Sequence, residues 1–143
     1  MPTRKEHQDV HSALKVSRAR GTVFGVYIPN KGRAEKDGDA QVEIQDWDGW
    51  IVRAMDILGS INGGATATAA AEGFWIDRDK DEEAVWEQTV LVYSYIDPQS
   101  FYSRLLEISQ FIFDFATETR QGMIFLEFDG QALEFVPQAG MQA

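Results

Sequence analysis

The chain has 143 residues, 44% of them apolar, and a formal net charge of −10, which predicts one globular domain with a sizeable core. It contains no cysteine, which excludes disulfides, thiolate metal sites and cysteine nucleophiles. The longest apolar runs are far shorter than the roughly 20 residues that span a bilayer, and the basic N-terminus lacks the apolar segment of a secretory signal. We therefore expect a cytoplasmic protein with no membrane partner.

Charge is divided unevenly along the chain. Residues 1–36 carry 8 Lys/Arg against 3 Asp/Glu, whereas residues 37–143 carry 5 against 20. An acidic body repels nucleic acid, because phosphate binding needs clustered Lys and Arg. The asymmetry either provides solubility or forms an acidic surface for a basic partner protein, and mimicry of nucleic acid is one way in which such a surface binds.

The first 45 residues predict an arm, a strand and a loop. Residues 1–20 mix charge, Ser and His with few apolar positions, which is typical of a flexible basic arm. Residues 22–28 are β-branched and aromatic on both faces, which predicts a central strand that ends at Pro29. Residues 30–45 are polar and predict a long loop.

A first helix is predicted after Asp46, whose carboxylate can accept from the backbone N–H groups of the first turn. Asn62, Gly63 and Gly64 are typical of a helix end with a left-handed cap. Between these ends the apolar positions follow helical spacing: Trp47, Trp50, Ile51, Ala54, Leu58 and Ile61.

A hairpin and a second helix follow. The strands 73–77 and 85–96 are separated by a charged run, which predicts an antiparallel hairpin with a charged tip. Asp97 and Pro98 predict a helix start, with Asp97 as the N-cap, and Gly122 is predicted to cap the far end. The helix has an apolar stripe made of Phe101, Leu105, Ile108, Ile112 and Phe115.

Two further strands, 123–128 and 131–136, are joined by Asp129-Gly130, a favoured two-residue turn. The order β-α-β-β-α-β-β predicts a ferredoxin-like α+β fold, in which one antiparallel sheet has two helices packed on one face. We expect the domain to cover residues 21–137, preceded by the arm and followed by a loose tail, 138–143.

No pattern in the chain matches a known metal, phosphate or catalytic motif. The only histidines are His7 and His11, so every histidine-based triad or dyad is excluded, and no third zinc ligand lies near them. Asp77, Asp79 and Asp81 resemble the opening of a calcium loop, but the remaining positions do not fit. The glycines after the first helix lack the setting of a phosphate loop. We expect no cofactor.

The predicted topology brings the end of the first strand, the start of the first helix, the hairpin tip and the end of the second helix to one edge of the sheet. The basic residues gathered there with the acids of the tip are Lys31, Arg33 and Lys36. Arg120 there can form a forked pair with a carboxylate or phosphate. The alternative is that these charges only decorate a helix end and its loops. The candidate binding residues are Glu118, Arg120, Gln121, Asp77, Asp79, Asp81, Glu82 and Glu83 at the edge, with Tyr27 and Glu87 beside it.

Several short blocks within residues 22–135 occur in an order that resembles small uncharacterised bacterial and phage domains. They are Phe-Gly-Val-Tyr, Gly-Gly-Ala-Thr, Gly-Phe-Trp, Glu-Thr-Arg-Gln-Gly and Phe-Leu-Glu-Phe-Asp-Gly. The resemblance implies a bacterial or phage origin and an α+β fold. Those domains have no assigned activity, so it implies no role for any residue.

The acidic body and the missing catalytic motifs favour a non-enzymatic interaction module that binds a basic partner protein as an inhibitor, antitoxin or complex subunit. The alternative is a small-molecule-binding domain, or an enzyme independent of His and Cys, with a polar site at the sheet edge. A third possibility is a homodimer formed through the sheet face.

Overall fold

The computed structural model describes residues 1–34, 41–77 and 83–137, with the backbone alone at Asp77 and Glu83. The helices are α1 (Arg4–Ala13), α2 (Trp47–Asn62), α3 (Pro98–Ser103) and α4 (Leu105–Glu118). The strands are β1 (Val23–Pro29), β2 (Lys31–Arg33), β3 (Gln41–Glu43), β4 (Thr66–Ala67), β5 (Ala71–Asp77), β6 (Glu83–Tyr95), β7 (Ile124–Phe128) and β8 (Gln131–Phe135). No helix in these ranges is long and apolar enough to cross a membrane. The predicted tail, 138–143, lies outside the described residues.

The main sheet is antiparallel, with the strand order β5-β6-β1-β7-β8, and β4 also pairs with β6. β1 lies between β6 and β7, with Val26 opposite Val92 on one side and opposite Leu126 on the other. This order confirms the predicted ferredoxin-like plan and the central position of the first strand. β8 extends the sheet, and β2 and β3 form a separate two-stranded sheet.

The core lies between two layers, the main sheet and the helices that cover one of its faces. Alternate residues of β1 and β6, such as Val26 and Val92, are buried under α2 and α4. The Trp50 ring of α2 contacts the Phe115 ring of α4 edge-on, with 5.2 Å between centroids. Each fully buried Val, Leu, Ile or Phe side chain contributes about 1.5–3 kcal/mol. This packing confirms two helical segments on one face.

Three predicted element ends are confirmed. Oδ1 of Asp46 accepts from the backbone N–H of Gly49 at 3.3 Å, and Gly63 ends α2 with φ of 90°. Asp129 and Gly130 have φ of 53° and 78°, as a primed hairpin turn requires.

The predicted second helix is divided and ends differently. Arg104, with φ −120° and ψ 24°, separates α3 from α4. The side chain of Asp97 makes no capping bond and instead lies 3.3 Å from the guanidinium of Arg18. After α4 the left-handed residue is Arg120, with φ of 57°, so the prediction that Gly122 caps this helix is wrong.

Four elements were not predicted: α1, β2, β3 and the two-residue strand β4. Residues 30–45 include the short strands β2 and β3, which at three residues each are too short to give a periodic signal. The predicted arm includes α1, which begins with a capping box between Thr3 and Glu6. α1 buries no residue, and its few apolar side chains do not form the continuous stripe that predicts a packed helix.

Asn62, 1% exposed, joins the end of α2 to β6. Its Nδ2 donates to Oγ of Ser94 at 2.7 Å, and its Oδ1 accepts from the backbone N–H of Asp97 at 2.9 Å. Because Asn62→Ala leaves both groups unpaired, we expect the free energy of unfolding to fall by about 2–4 kcal/mol. Urea unfolding checks this, with the exposed Ser60→Ala as the control. A loss no larger than that of the control would show that water replaces both bonds.

Candidate functional site

A cavity of about 400 Å³ lies where the β5–β6 hairpin, the β2–β3 hairpin and the loop after α4 meet. On the β5–β6 hairpin, register places Glu87 on the same face as Leu91 and opposite Gly73 of β5. No described helix packs on this face, because α2 and α4 cover the other one. The wall consists of Gly32, Arg33 and Gln41 from β2–β3, Trp75, Ile76 and Glu87 from β5–β6, and Arg120, Gln121, Gly122, Met123 and Phe125 from the segment that ends in β7.

Glu87 is the electrostatically unusual group of this cavity. Its partial burial raises the pKa of its carboxyl above the ordinary value, because the charged form loses hydration. A hydrogen bond from the Trp75 side chain and the charge of Lys31 lower the pKa in part. A desolvated carboxyl beside an aromatic wall is suited to binding a cationic group.

The β2–β3 hairpin reaches the cavity because its backbone fits closely against the loop after α4. A Cβ on Gly32 would lie 1.8 Å from the carbonyl oxygen of Thr119. Nε2 of Gln121 donates to the carbonyl oxygen of Lys31 at 2.9 Å, and the backbone N–H of Arg33 donates to the carbonyl oxygen of Arg120 at 3.2 Å. These contacts hold Arg33 at the cavity wall, with its guanidinium over Gly122.

The structure brings some of the predicted site residues together and separates others. Glu87, Arg120 and Gln121 line the same cavity. Glu118 lines a neighbouring cavity of about 460 Å³, which also borders Arg120. Tyr27 lies on the sheet face, in a cavity of about 320 Å³ that shares Phe125 with the first.

The predicted hairpin-tip residues are not part of the described site. Asp77 and Glu83 pair through their backbones at the end of the β5–β6 hairpin, and Asp79, Asp81 and Glu82 lie outside the described residues. Within the described ranges, no three His, Cys, Asp or Glu side chains lie together as metal ligands would.

The predicted topology placed Arg33 at this edge, whereas Trp75 and Phe125 of the cavity wall were not identified as site residues. Trp75 and Phe125 lie in the predicted strands 73–77 and 123–128, where an aromatic residue is typical of sheet packing and gives no sign of a site. Strand alternation held a usable signal, because Trp75 and Glu87 lie at positions of β5 and β6 that face the same side. Trp86, one position before Glu87, faces the other side and contacts Phe74.

The chain matches no protein-family model, and no curated protein matches it. Two solved structures share its fold. One is phage SAM lyase in the apo state, at 12% identity and a TM-score of 0.52, covering 83% of this chain and 91% of that chain. The other is phage SAM lyase in complex with S-methyl-5′-thioadenosine, at 9% identity and a TM-score of 0.53, covering 88% and 99%. At these identities the likeness establishes the α+β fold.

These comparisons correct the functional prediction. Both structures are of an enzyme, so the interpretation of the chain as a non-enzymatic acidic interaction module is wrong. The alternative, a small-molecule site or an enzyme independent of His and Cys, is better supported. The phage source of both neighbours agrees with the origin that the sequence resemblance implies. A basic protein partner stays a prediction that no observation tests.

Proposed function

We propose that the chain binds S-adenosylmethionine (SAM) in the cavity around Glu87 and cleaves it to S-methyl-5′-thioadenosine. The observation that carries the proposal is a cavity of about 400 Å³ with a desolvated carboxyl and aromatic walls, on the fold of phage SAM lyase. A cavity of this volume suits a ligand of nucleoside size. The proposal also includes a cytoplasmic location, with which the lack of cysteine is consistent.

The proposed reaction breaks the bond between the sulfonium sulfur and Cγ of the methionine chain. The bonding electron pair goes to sulfur, which loses its positive charge and leaves as the thioether of S-methyl-5′-thioadenosine. A lyase consumes no water, so the new bond to Cγ must form within the four-carbon fragment itself. Either its carboxylate oxygen bonds to Cγ, or Cβ loses a proton and a double bond forms.

The cavity offers groups for both ends of the amino-acid chain. The ionised carboxyl of Glu87 would bind the α-ammonium group of SAM, and the guanidinium of Arg33 would bind its carboxylate. Holding both ends fixes the position of Cγ relative to the sulfur, which is the geometric requirement of the reaction. S-Methyl-5′-thioadenosine has neither charged group, so cleavage removes these two contacts.

The aromatic wall contributes in a different way. Trp75 and Phe125 offer ring faces to the adenine and to the sulfonium. Because the reaction neutralises the sulfonium, its transition state needs less hydration than the bound substrate. A site that replaces water by aromatic surface therefore favours the reaction.

The proposal is tested by incubating the purified chain with SAM and following the products by liquid chromatography and mass spectrometry. We expect S-methyl-5′-thioadenosine and a four-carbon amino-acid product without incorporation of ¹⁸O from labelled water. S-adenosylhomocysteine, which lacks the sulfonium, is the matched control and should not be cleaved. Failure of SAM to be cleaved, together with no thermal shift from S-methyl-5′-thioadenosine, would overturn the proposal.

The hydrogen bond from Trp75 should set the pH dependence of cleavage. Because this bond lowers the pKa of Glu87, Trp75→Phe removes the donor, keeps an aromatic ring and raises that pKa further. If SAM binding needs ionised Glu87, the acid limb of the kcat/KM profile moves to higher pH in the variant. Trp86→Phe, on the opposite face, is the control. An unshifted acid limb would show that Glu87 does not titrate in this step.

A further inference from the structure

A second cavity, of about 460 Å³, adjoins the cavity around Glu87. Gly32, Arg33 and Arg120 border both cavities, so β2 and the loop after α4 form the wall between them. The volume of the second cavity lies within the range of small-molecule sites. The proposed cleavage uses only the first cavity and leaves the second without a role.

Groups of both charges border the second cavity. Its cations are the guanidinium groups of Arg33 and Arg120. Its carboxylates are those of Glu43, Asp46 and Glu118, of which Asp46 is engaged as the cap of α2. The apolar part of the wall consists of Val42, Ile44 and Trp50. Guanidinium and carboxylate groups beside an apolar surface suit a ligand that has a carboxylate, an ammonium group and a short apolar chain. A free α-amino acid is such a ligand.

The backbone of Arg120 supports a role for its side chain. Its φ of 57° lies in the left-handed region, which favours glycine and strains a residue that has a Cβ. Glycine is also the usual residue in this conformation just after a helix. Backbone strain of this kind clusters at ligand sites. The chain therefore places a guanidinium between the two cavities against the local preference of the backbone.

We propose that the second cavity binds a free α-amino acid, with its carboxylate on Arg120 and Arg33 and its ammonium group on Glu118. The bound amino acid would weaken the binding of SAM without entering the first cavity. The reason is that two carboxylates would compete for the guanidinium of Arg33 and would repel each other across the shared wall. The second site does not depend on the proposed cleavage, whereas its effect on SAM rests on it.

Calorimetric titration with L-methionine, whose side chain is apolar, tests the second site. We expect Glu118→Gln to weaken methionine binding at least about fivefold. Arg120→Gly should weaken it to a similar extent, and glycine suits the left-handed backbone at this position. The matched control is Asp48→Asn, which changes an exposed carboxylate in the first turn of α2 and should bind methionine as the wild type does. L-Methioninol, which lacks the carboxylate, should bind the wild type at least about fivefold more weakly than methionine does.

Three results would overturn the second site. The first is the absence of both heat and a thermal shift at about 10 mM methionine. The second is equal affinity of the wild type, Glu118→Gln and Arg120→Gly for methionine. The third is a methionine affinity that Glu87→Gln lowers and Glu118→Gln does not, because methionine would then occupy the first cavity.

Two nucleosides test the effect on the first cavity. S-Adenosylhomocysteine carries the amino-acid end of SAM, whereas S-methyl-5′-thioadenosine lacks it. With methionine at saturation, we expect the dissociation constant of S-adenosylhomocysteine to rise at least about threefold and that of S-methyl-5′-thioadenosine to change by less than about 1.5-fold. An unchanged affinity for S-adenosylhomocysteine would overturn the competition for Arg33. A chain that binds methionine through Glu118 but binds neither nucleoside would support the second site and overturn the proposed cleavage alone.

Discussion

Glu87→Gln is expected to lower kcat/KM for SAM cleavage by about 100-fold, because it removes the charge that binds the α-ammonium group and fixes the chain for reaction. The substitution keeps the size of the side chain and an oxygen that accepts from Trp75. S-Methyl-5′-thioadenosine has no ammonium group, so its dissociation constant should change by less than about threefold. Cleavage kinetics and calorimetric titration of the product measure the two effects.

The control is Glu134→Gln, which changes an exposed carboxylate on β8 and should leave kcat/KM unchanged. Equal losses of SAM cleavage and of product affinity would mean that Glu87 supports the shape of the cavity and does not bind the ammonium group. Unchanged cleavage would remove Glu87 from the site.

The same substitution should stabilise the folded chain. The folded-state pKa of Glu87 is raised by burial, so ionisation of this carboxyl opposes folding. The contribution of the Glu87 carboxyl to the free energy of unfolding is most favourable below its unfolded-state pKa. This contribution becomes less favourable as the pH rises through the folded-state pKa. Glu87→Gln removes this loss, so the variant should gain stability relative to the wild type as the pH rises from 4 to 8, measured by urea unfolding. A stability difference that does not depend on pH would contradict the burial of the charge.

Gly32→Ala is expected to detach the β2–β3 hairpin from the loop after α4. Its Cβ would lie 1.8 Å from the carbonyl oxygen of Thr119, a backbone atom that no side-chain rotation can move. We expect the free energy of unfolding to fall by about 1–3 kcal/mol. Affinity for S-methyl-5′-thioadenosine should also fall, by at least about tenfold, because the hairpin supplies one wall of the cavity.

Gly64→Ala is the matched control, because nothing lies within 4 Å of the added Cβ and Gly64 does not need a left-handed backbone. Urea unfolding and calorimetry on both variants separate the two effects. If Gly32→Ala retained the stability and affinity of the wild type, the loop after α4 would have to move without cost, and the close contact would have no structural role.

The candidate site was only partly predictable. Glu87, Arg120 and Gln121 were identified because the ferredoxin-like topology brings β6 and the end of the second helical segment to one region of the sheet. The same topology placed Arg33 at this edge, but the contacts that hold it at the cavity wall join β2 to a loop almost 90 residues later in the chain and were not predicted. Such contacts leave no local pattern, because their partners are remote in sequence.

The sequence by itself determined the elements that follow from local chemistry and periodicity. The cap at Asp46, the left-handed Gly63, the Asp129-Gly130 turn and the buried side of α2 are all confirmed, because each depends on neighbouring residues or on the helical repeat of 3.6. Only the tertiary structure decided which polar residues share a cavity. The burial that raises the pKa of Glu87, the fit of Gly32 against Thr119 and the uncovered side of the sheet arise between segments that meet only after folding.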